Sequence, residues 1–177
     1  MNQFFSPSLR NISLAVALVG VGLMGTPMAV RSQSISNSPV PMQLAQSQTI
    51  AQAVTDLKLS GQKWLEIDLS SQRLYAWEGN QQVYAVIVST GKASTPTPSG
   101  VFAIQSRHRS ARMQGYDYDV PDVPYTMYYH RGYAIHGAYW HNRFGTPVSH
   151  GCTNVAVNHA RWLFNWASIG TPVVVHD

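Results

Sequence analysis

The chain is poor in charge. Of its 177 residues 11% are charged, with 12 Lys and Arg against 8 Asp and Glu. Two of the basic residues, Arg10 and Arg31, lie within the first 32 positions, so the rest of the chain is close to neutral. This balance does not indicate a nucleic-acid partner, and none is predicted. The 45% share of hydrophobic residues excludes a disordered chain.

Cysteine is nearly absent, since Cys152 is the single one. One thiol excludes an intramolecular disulfide. The chain also lacks the Cys-x-x-Cys and His-Glu-x-x-His patterns of zinc sites, and neither a metal nor another cofactor is predicted. A lone cysteine is either a small buried hydrophobic residue or a reactive thiol, and composition leaves both readings open.

The N-terminal residues 1–32 have the order of an export signal. A short leader with Arg10 is followed by an uncharged apolar run and then by small residues. We therefore expect an exported protein of the periplasm or cell wall. The run is also long enough to span a bilayer as an uncleaved inner-membrane anchor, which would be the protein's one membrane contact, but cleavage is the favoured alternative.

Residues 33–60 are rich in Ser and Gln and have no sustained apolar period, which predicts a flexible linker. A weak helical spacing through Ile50, Val54 and Leu57 is too short to change that prediction. The apolar texture begins at Lys63, so the predicted folded domain covers residues 61–177.

Alternating apolar residues predict strands at the start of this domain. Residues 65–69 and 74–77 alternate, and the turn Glu78-Gly79-Asn80 leads into residues 83–89, which are apolar on both faces. We expect a meander in which this last strand is buried at the centre. The prolines of residues 93–100 predict a loop at a sheet edge.

Further strands are predicted beyond that loop. Residues 101–104 resume the alternating pattern, and residues 125–136 predict two strands joined at Arg131-Gly132. Residues 142–151 are interrupted by Gly and Pro and predict a loop, whereas residues 172–175 predict a closing strand.

One helix is predicted near the C-terminus. Asn158 can cap it, Trp162, Leu163 and Trp166 share one face, and Gly170 suits the residue after its end. The predicted fold is therefore mostly β, a sheet or sandwich covered by one C-terminal helix.

Chemistry concentrates in residues 135–154, where Cys152 lies close to several histidines and glycines. A nucleophilic cysteine needs a nearby imidazole because little thiolate forms at neutral pH. His136 is the preferred base over His150, since it ends a predicted strand whose backbone can hold the ring. Gly151 lets backbone approach a substrate, so the amides of Gly151 and Cys152 are candidate oxyanion donors.

These residues resemble the signature of the YkuD-type L,D-transpeptidases, a histidine followed after a dozen or more residues by Ser/Thr-His-Gly-Cys. Here twelve residues separate His136 from Ser149-His150-Gly151-Cys152. The stretches Ser89-Thr90-Gly91 and Thr97-Pro98-Ser99-Gly100-Val101-Phe102 are similar to a second, upstream motif of the family. The resemblance covers about residues 63–177 and implies a YkuD-like β domain.

The resemblance implies a role for each matching residue. Cys152 would be the nucleophile that accepts the acyl group, and His136 its base, oriented by the backbone carbonyl of Gly137. The amides of Gly151 and Cys152 would form the oxyanion hole, while Ser149 and His150 would shape the loop.

Other residues near the motif are weaker candidates. Asn154 matches a family position and is expected to contact the substrate or the loop, whereas Thr153 departs from the family's usual hydrophobic residue. Tyr139 and Trp140 are candidates for lining a substrate groove, although aromatic residues are also common in strands. His141 is a candidate support for the loop.

The reaction that the resemblance implies takes place on peptidoglycan stem peptides. Cys152 would attack the bond before the terminal D-Ala of a tetrapeptide stem and release D-Ala, leaving a thioester. An amine of a neighbouring stem would then give a third-to-third crosslink, and water would give L,D-carboxypeptidase activity. Two alternatives remain open, a zinc-dependent amidase that uses His136, His150 and Cys152, and a wall-binding domain without catalysis.

Overall fold

The structure, a computed structural model, describes residues 42–177. The predicted signal or anchor of residues 1–32 and the first part of the predicted linker, residues 33–41, lie outside the described residues. Within residues 42–177, no helix is both long enough and apolar enough to cross a bilayer.

The described residues form two helices and nine strands. In chain order they are α1 (Met42–Ser60), β1 (Lys63–Asp68), β2 (Arg73–Glu78), β3 (Gln81–Ile87), β4 (Gly100–Ala103), β5 (Ser106–Gln114), β6 (Asp119–His130), β7 (Tyr133–Gly137), β8 (Thr153–Val155), α2 (Val157–Trp166) and β9 (Pro172–His176). The mostly β prediction is confirmed.

The strands form two sheets. The first has the order β3-β2-β1-β9-β4 and the second the order β5-β6-β7-β8. All neighbours are antiparallel except β1 with β9 and β7 with β8, which are parallel. The predicted junction at Arg131-Gly132 and the predicted closing strand are both confirmed.

The two sheets bury a shared apolar core between them. Leu65 and Val175 contribute from the first sheet, Met127 and Ile135 from the second, and Leu163 of α2 completes the core. Because α2 connects β8 to β9, the chain passes from one sheet to the other through this helix. The cavity described below opens beside the second sheet.

The strand predicted to be buried at the centre of the meander is in fact an edge strand. β3 pairs only with β2, and its outward side chain Ile87 is 45% exposed. Its inward side chains Tyr84 and Val86 pack on the core, and Tyr84 stacks on Trp162 of α2. The apolar residues on both faces therefore reflect packing on one side and exposure on the other.

The prediction of a flexible linker is wrong for residues 42–60, which form helix α1. Its Leu57 is buried against Trp64 and Val174, with Ile50 and Val54 packed beside them. Trp64 and Val174 lie on the outer face of the first sheet, which would be exposed to water without the helix. The folded unit thus includes the nineteen residues of α1, because this helix covers the face.

Helix α2 confirms the predicted C-terminal helix but not its predicted ends. Ala156 is the N-cap residue, and no side chain caps the helix. The helix ends at Trp166, so Gly170, with φ of 88°, serves the turn before β9 instead. Leu163 is buried, whereas Trp162 and Trp166 are partly buried and stack on each other.

Candidate active site

A cavity of about 370 Å³ gathers most of the candidate residues. It lies where β7 and β8 meet the strands β5 and β6 and the loop that precedes β8. Its lining combines apolar side chains with histidines and other polar residues, and comprises Met113, Tyr118, Val120, His136, Trp140, His141, Arg143, Val148, Ser149, His150, Cys152 and Asn154. The structure therefore brings His136 and Cys152 to one cavity.

His136 is held rigidly near the end of β7. His136 pairs with Asn154 of β8 in the parallel ladder, and it is only 2% exposed. Nδ1 lies 3.1 Å from the Gly137 carbonyl oxygen, which can only accept a hydrogen bond, so Nδ1 carries the proton. Burial lowers the pKa of His136 to about 4. The ring is therefore neutral at pH 7, with an unprotonated Nε2.

Cys152 immediately precedes β8 and is partly buried. Its Sγ lies 3.7 Å from the Gly132 carbonyl oxygen, and its side chain packs beside Met113 and Ala134. Burial raises the pKa of the Cys152 thiol to about 11, although a backbone hydrogen bond at Ala134 opposes the shift. At neutral pH the side chain is thus a thiol rather than a thiolate.

The backbone before Cys152 is shaped by Ser149 and Gly151. Gly151 has φ of 110°, and a Cβ there would lie 2.5 Å from a ring carbon of Tyr133, so only glycine fits. The Gly151 N–H donates to Ser149 Oγ (3.0 Å), and this hydroxyl donates to the Cys152 carbonyl oxygen (2.6 Å). The Gly151 amide is therefore occupied, contrary to its expected role as an oxyanion donor, while the loop-shaping position of Ser149 follows from these two bonds.

The upstream motif is attached directly to this loop. Thr97 Oγ1 accepts from the Gly91 N–H (2.9 Å) and donates to the Gly151 carbonyl oxygen (2.8 Å). Backbone bonds join Thr90 and Lys92 to Ser149. A Cβ at Gly91 would lie 2.2 Å from the Thr95 carbonyl oxygen, which explains the glycine. The two motifs therefore form one structural unit around the cysteine.

His150 contacts groups at the edge of the cavity. Its Nε2 lies 3.0 Å from Asp117 Oδ2 and 3.4 Å from Lys92 Nζ, and its ring packs on Tyr118. The bond from His150 lowers the pKa of Asp117. His150 thus links the loop to the connection between β5 and β6.

Asn154 and His141 support the floor of the cavity together. The Arg143 N–H donates to His141 Nδ1 (3.2 Å), and burial lowers the pKa of His141, so the neutral ring carries its proton on Nε2. Asn154 Nδ2 lies 2.9 Å from that Nε2. Two donors cannot share a hydrogen bond, so the amide satisfies both residues only with Oδ1 turned toward His141.

The two aromatic candidates differ in position. Trp140 lines the cavity and stacks on His136 with ring centroids 5.7 Å apart. Tyr139 is not among the lining residues; its hydroxyl donates to the Pro121 carbonyl oxygen (2.7 Å), and its ring packs edge-on against Trp140. Tyr139 therefore supports Trp140 instead of facing the cavity.

The zinc alternative lacks a ligand set in the described part of the chain. Within residues 42–177, no three His, Cys, Asp or Glu side chains come together in a way that could hold a metal ion. His150 contacts Asp117 and Lys92 instead of completing a site with His136 and Cys152.

Comparison with known proteins identifies the family. A sequence model of YkuD, the L,D-transpeptidase catalytic domain, matches residues 62–175. The chain belongs to the YkuD family of L,D-transpeptidase catalytic domains. This confirms the resemblance that the two sequence motifs indicated.

Individual members of the YkuD family share both sequence and fold with this chain. L,D-transpeptidase 2 of Mycobacterium tuberculosis is 32% identical over an alignment of 105 positions, and the match covers 52% of this chain and 26% of that protein. The catalytic domain of an E. faecium L,D-transpeptidase has a TM-score of 0.60 at 29% identity, covering 66% of this chain and 98% of that one. The structure of LdtMt1 in complex with imipenem has a TM-score of 0.61 at 26% identity, covering 64% and 58%.

The match to the curated YkuD relatives is partial. The first three relatives are matched over 26%, 37% and 39% of their own lengths. The similarity thus concerns the YkuD catalytic domain and not the relatives' remaining segments.

Sequence reasoning missed several residues of this cavity. Met113 of β5, Val120 of β6 and Tyr118 in the connection between these strands form one wall, although no motif marks them. Arg143 lies between His136 and the motif of residues 149–152, within the predicted loop of residues 142–151. Its charge, in a loop beside the cysteine motif, is the one signal that would have marked it.

Proposed function

We propose that this chain is an L,D-transpeptidase that acts on peptidoglycan stem peptides through a thioester on Cys152. The observation that carries the proposal is the shared cavity of His136 and Cys152, in which the imidazole has its Nε2 unprotonated. A thiol and a neutral base that face the same cavity are the two groups that acyl transfer requires.

In the first half-reaction the Cys152 sulfur attacks the carbonyl carbon of the third stem residue. His136 Nε2 takes the thiol proton as the S–C bond forms, since both groups are neutral before attack. The imidazolium then gives that proton to the nitrogen of the departing D-Ala as the C–N bond breaks. The product is a thioester on Cys152 and free D-Ala.

In the second half-reaction an amine of a neighbouring stem attacks the thioester carbonyl. Its proton passes through His136 to the leaving sulfur, so the thiol is restored and a third-to-third crosslink forms. Attack by water in place of the amine gives L,D-carboxypeptidase activity.

The oxyanion of each tetrahedral intermediate needs a donor other than the Gly151 amide, which Ser149 occupies. The Cys152 N–H makes no hydrogen bond within residues 42–177 and lies next to the reacting sulfur. We assign the oxyanion contact to this amide. Ser149 then acts by holding the loop, and Trp140 by packing on the His136 ring.

The family match supports acyl transfer at this site, and the complex of the related LdtMt1 with imipenem makes imipenem a suitable probe. The apolar run in residues 11–30 supports export, which would deliver the enzyme to the periplasm or cell wall where its substrate lies. Cleavage of residues 1–32 remains part of the proposal, with an inner-membrane anchor as the alternative.

The test is mass spectrometry of the protein after incubation with a tetrapeptide muropeptide or imipenem. We expect a covalent adduct on Cys152 in the wild type and none in Cys152→Ala. His136→Ala is expected to form the adduct at least about 100-fold more slowly, while the control His108→Ala, at an exposed position of β5, keeps the wild-type rate. An adduct on another residue, or an unchanged rate in His136→Ala, contradicts the proposed chemistry.

A further inference from the structure

The cavity contains one strongly basic side chain, Arg143, that the mechanism does not use. Its backbone is fixed, since its N–H donates to His141 Nδ1 (3.2 Å) and its carbonyl oxygen accepts from Ser89 Oγ (2.8 Å). The position of its Cα is therefore set by the same loop that carries the motif residues. What its guanidinium binds is a separate question.

The guanidinium of Arg143 has no carboxylate within 4.0 Å among residues 42–177. Other basic groups nearby are already engaged, Lys92 with His150 and Arg112 with Asp119. The Arg143 charge reaches the floor of the cavity, because it contributes to the lowered pKa of His141. Arg143 is exposed to solvent where it lines the cavity, so its unpaired charge is accessible to an anion that comes with the substrate.

The proposed substrate carries a suitable anion at the right place. In a tetrapeptide stem the residue released as D-Ala ends in a carboxylate, one carbon away from the nitrogen of the bond that breaks. A pentapeptide stem has an amide at that position instead. Stems with a diamino dicarboxylic acid at the third position carry a second carboxylate on that side chain. The terminal and the side-chain carboxylate have the same chemistry, so either one is a possible partner of a guanidinium.

We propose that Arg143 binds the terminal carboxylate of the departing residue and thereby selects stems that end directly after the bond to be cleaved. This assignment rests on the proposed function. The planar guanidinium suits a carboxylate because it donates two parallel N–H bonds, which an ammonium cannot reproduce. Arg143 is thus a specificity-determining residue, while His136 and Cys152 perform the chemistry.

The experiment compares D-Ala release (alaninamide for the amide peptide) from a tetrapeptide with a free C-terminus and from the same peptide with a C-terminal amide. Wild type is expected to prefer the acid in kcat/KM by about ten- to hundredfold. Arg143→Gln is expected to bring this ratio close to one, with Arg143→Lys in between. Arg161→Gln, which removes a charge from an exposed position of α2, is the matched control and keeps the wild-type ratio.

A second pair of peptides distinguishes the two carboxylates. Here the diamino dicarboxylic acid at the third position is replaced by lysine, which lacks the side-chain carboxylate. The kcat/KM for the peptide with the diamino dicarboxylic acid is divided by that for the peptide with lysine. We expect this ratio in Arg143→Gln to stay within about threefold of the wild-type ratio. If Arg143→Gln changes this second ratio and leaves the acid-to-amide ratio unchanged, Arg143 binds the side-chain carboxylate and the assignment to the terminus is overturned.

The outcomes separate this inference from the proposed function. Failure of wild type to release the terminal residue from either peptide overturns the proposed function and the inference together. Normal release by wild type with equal losses on acid and amide peptides in Arg143→Gln overturns only the role of Arg143.

Discussion

At the scale of single residues, burial decides how the reactive pair works. Burial disfavours the charged form of each group, so the pKa of Cys152 rises to about 11 and that of His136 falls to about 4. The resting site therefore holds a thiol and a neutral imidazole, not a thiolate and an imidazolium. The nucleophile becomes charged only as the proton moves, when a substrate carbonyl is in place.

The neutral pair predicts an unusual pH dependence of thiol alkylation. The rate at which iodoacetamide modifies folded Cys152 is expected to rise without levelling until about pH 11, because the thiolate is the reacting species. The same protein unfolded in urea should level near pH 8.5. A plateau at or below neutral pH in the folded protein would show an ion pair and contradict this assignment.

Thr97 is a single residue through which the upstream motif acts on the cysteine loop. Its hydroxyl bridges the Gly91 amide and the Gly151 carbonyl, so removing it leaves both groups without that partner. We expect Thr97→Val to lower kcat by about tenfold or more with KM little changed, since displaced loop atoms impair the reaction more than binding.

The conservative variant separates positioning from a general loss of folding. Thr97→Ser keeps the hydroxyl and is expected to retain kcat within about threefold. Thr146→Val, at an exposed position in the loop before Ser149, is the control for a threonine change. Steady-state kinetics and melting temperatures are measured together, and a wild-type kcat in Thr97→Val would remove the proposed link.

At the scale of elements, α1 is part of the fold and not a tether. It covers the outer face of the first sheet, where Trp64 and Val174 lie. The sheet is thus buried on both faces at its centre, between α1 on one side and the second sheet on the other. This explains the unbroken apolar run at the start of β9.

Two leucines of α1 test this packing. Leu57 is 7% exposed and Leu59 is 82% exposed, so they differ in burial and hardly in sequence position. Leu57→Ala is expected to lower the free energy of unfolding by about 2 to 3 kcal/mol, and Leu59→Ala by less than about 0.5 kcal/mol. Urea denaturation measures both, and equal effects would mean that α1 does not pack in solution.

Sequence patterns predicted elements well where local periodicity and burial agree. The strands β1, β2, β7 and β9 and the helix α2 follow their patterns, and the two motifs locate the cysteine loop. The role of β3 was misjudged because apolar residues on both faces are shared by central strands and by edge strands that pack on one side. Helix α1 was missed because its polar residues obscure a narrow apolar stripe, whose partner Val174 lies more than a hundred positions away.

The candidate site was predictable only to the extent that it is local in sequence. His136 and the residues from Ser149 to Asn154 are close along the chain and carry recognisable chemistry. The wall formed by Met113 and Tyr118 depends on how β5 and β6 pair, and no local signal encodes that pairing. The occupied Gly151 amide likewise depends on a side-chain rotation of Ser149, which spacing cannot reveal.

At the scale of the whole molecule, an ion pair joins the two central strands. His176 Nε2 at the end of β9 lies 2.9 Å from Glu66 Oε1 of β1, and Glu66 also accepts from the Trp77 indole. The Glu66 carboxylate raises the pKa of His176 to about 9. Because this value exceeds the unfolded value near 6.5, the pair stabilises the fold fully below pH 6.5 and its contribution is lost as pH rises through 9.

Stability measurements at two pH values test this pair. Between pH 6 and pH 9.5, the wild type is expected to lose about 1 kcal/mol more unfolding free energy than His176→Gln, a figure reduced for solvent screening. His108→Gln, an exposed histidine on β5, should lose as much as wild type. An identical pH dependence in wild type and His176→Gln would show that the pair is not stabilising.

The parallel pairing of β1 with β9 has a consequence for biosynthesis. These neighbours in space are separated by nearly the whole described chain, and Leu65 meets Val173 across the ladder. The middle of the first sheet remains incomplete until β9 has been made, because β1 needs β9 as its second neighbour. A nascent chain that lacks β9 therefore leaves one edge of β1 unpaired, and such an edge is a template for aggregation with other strands.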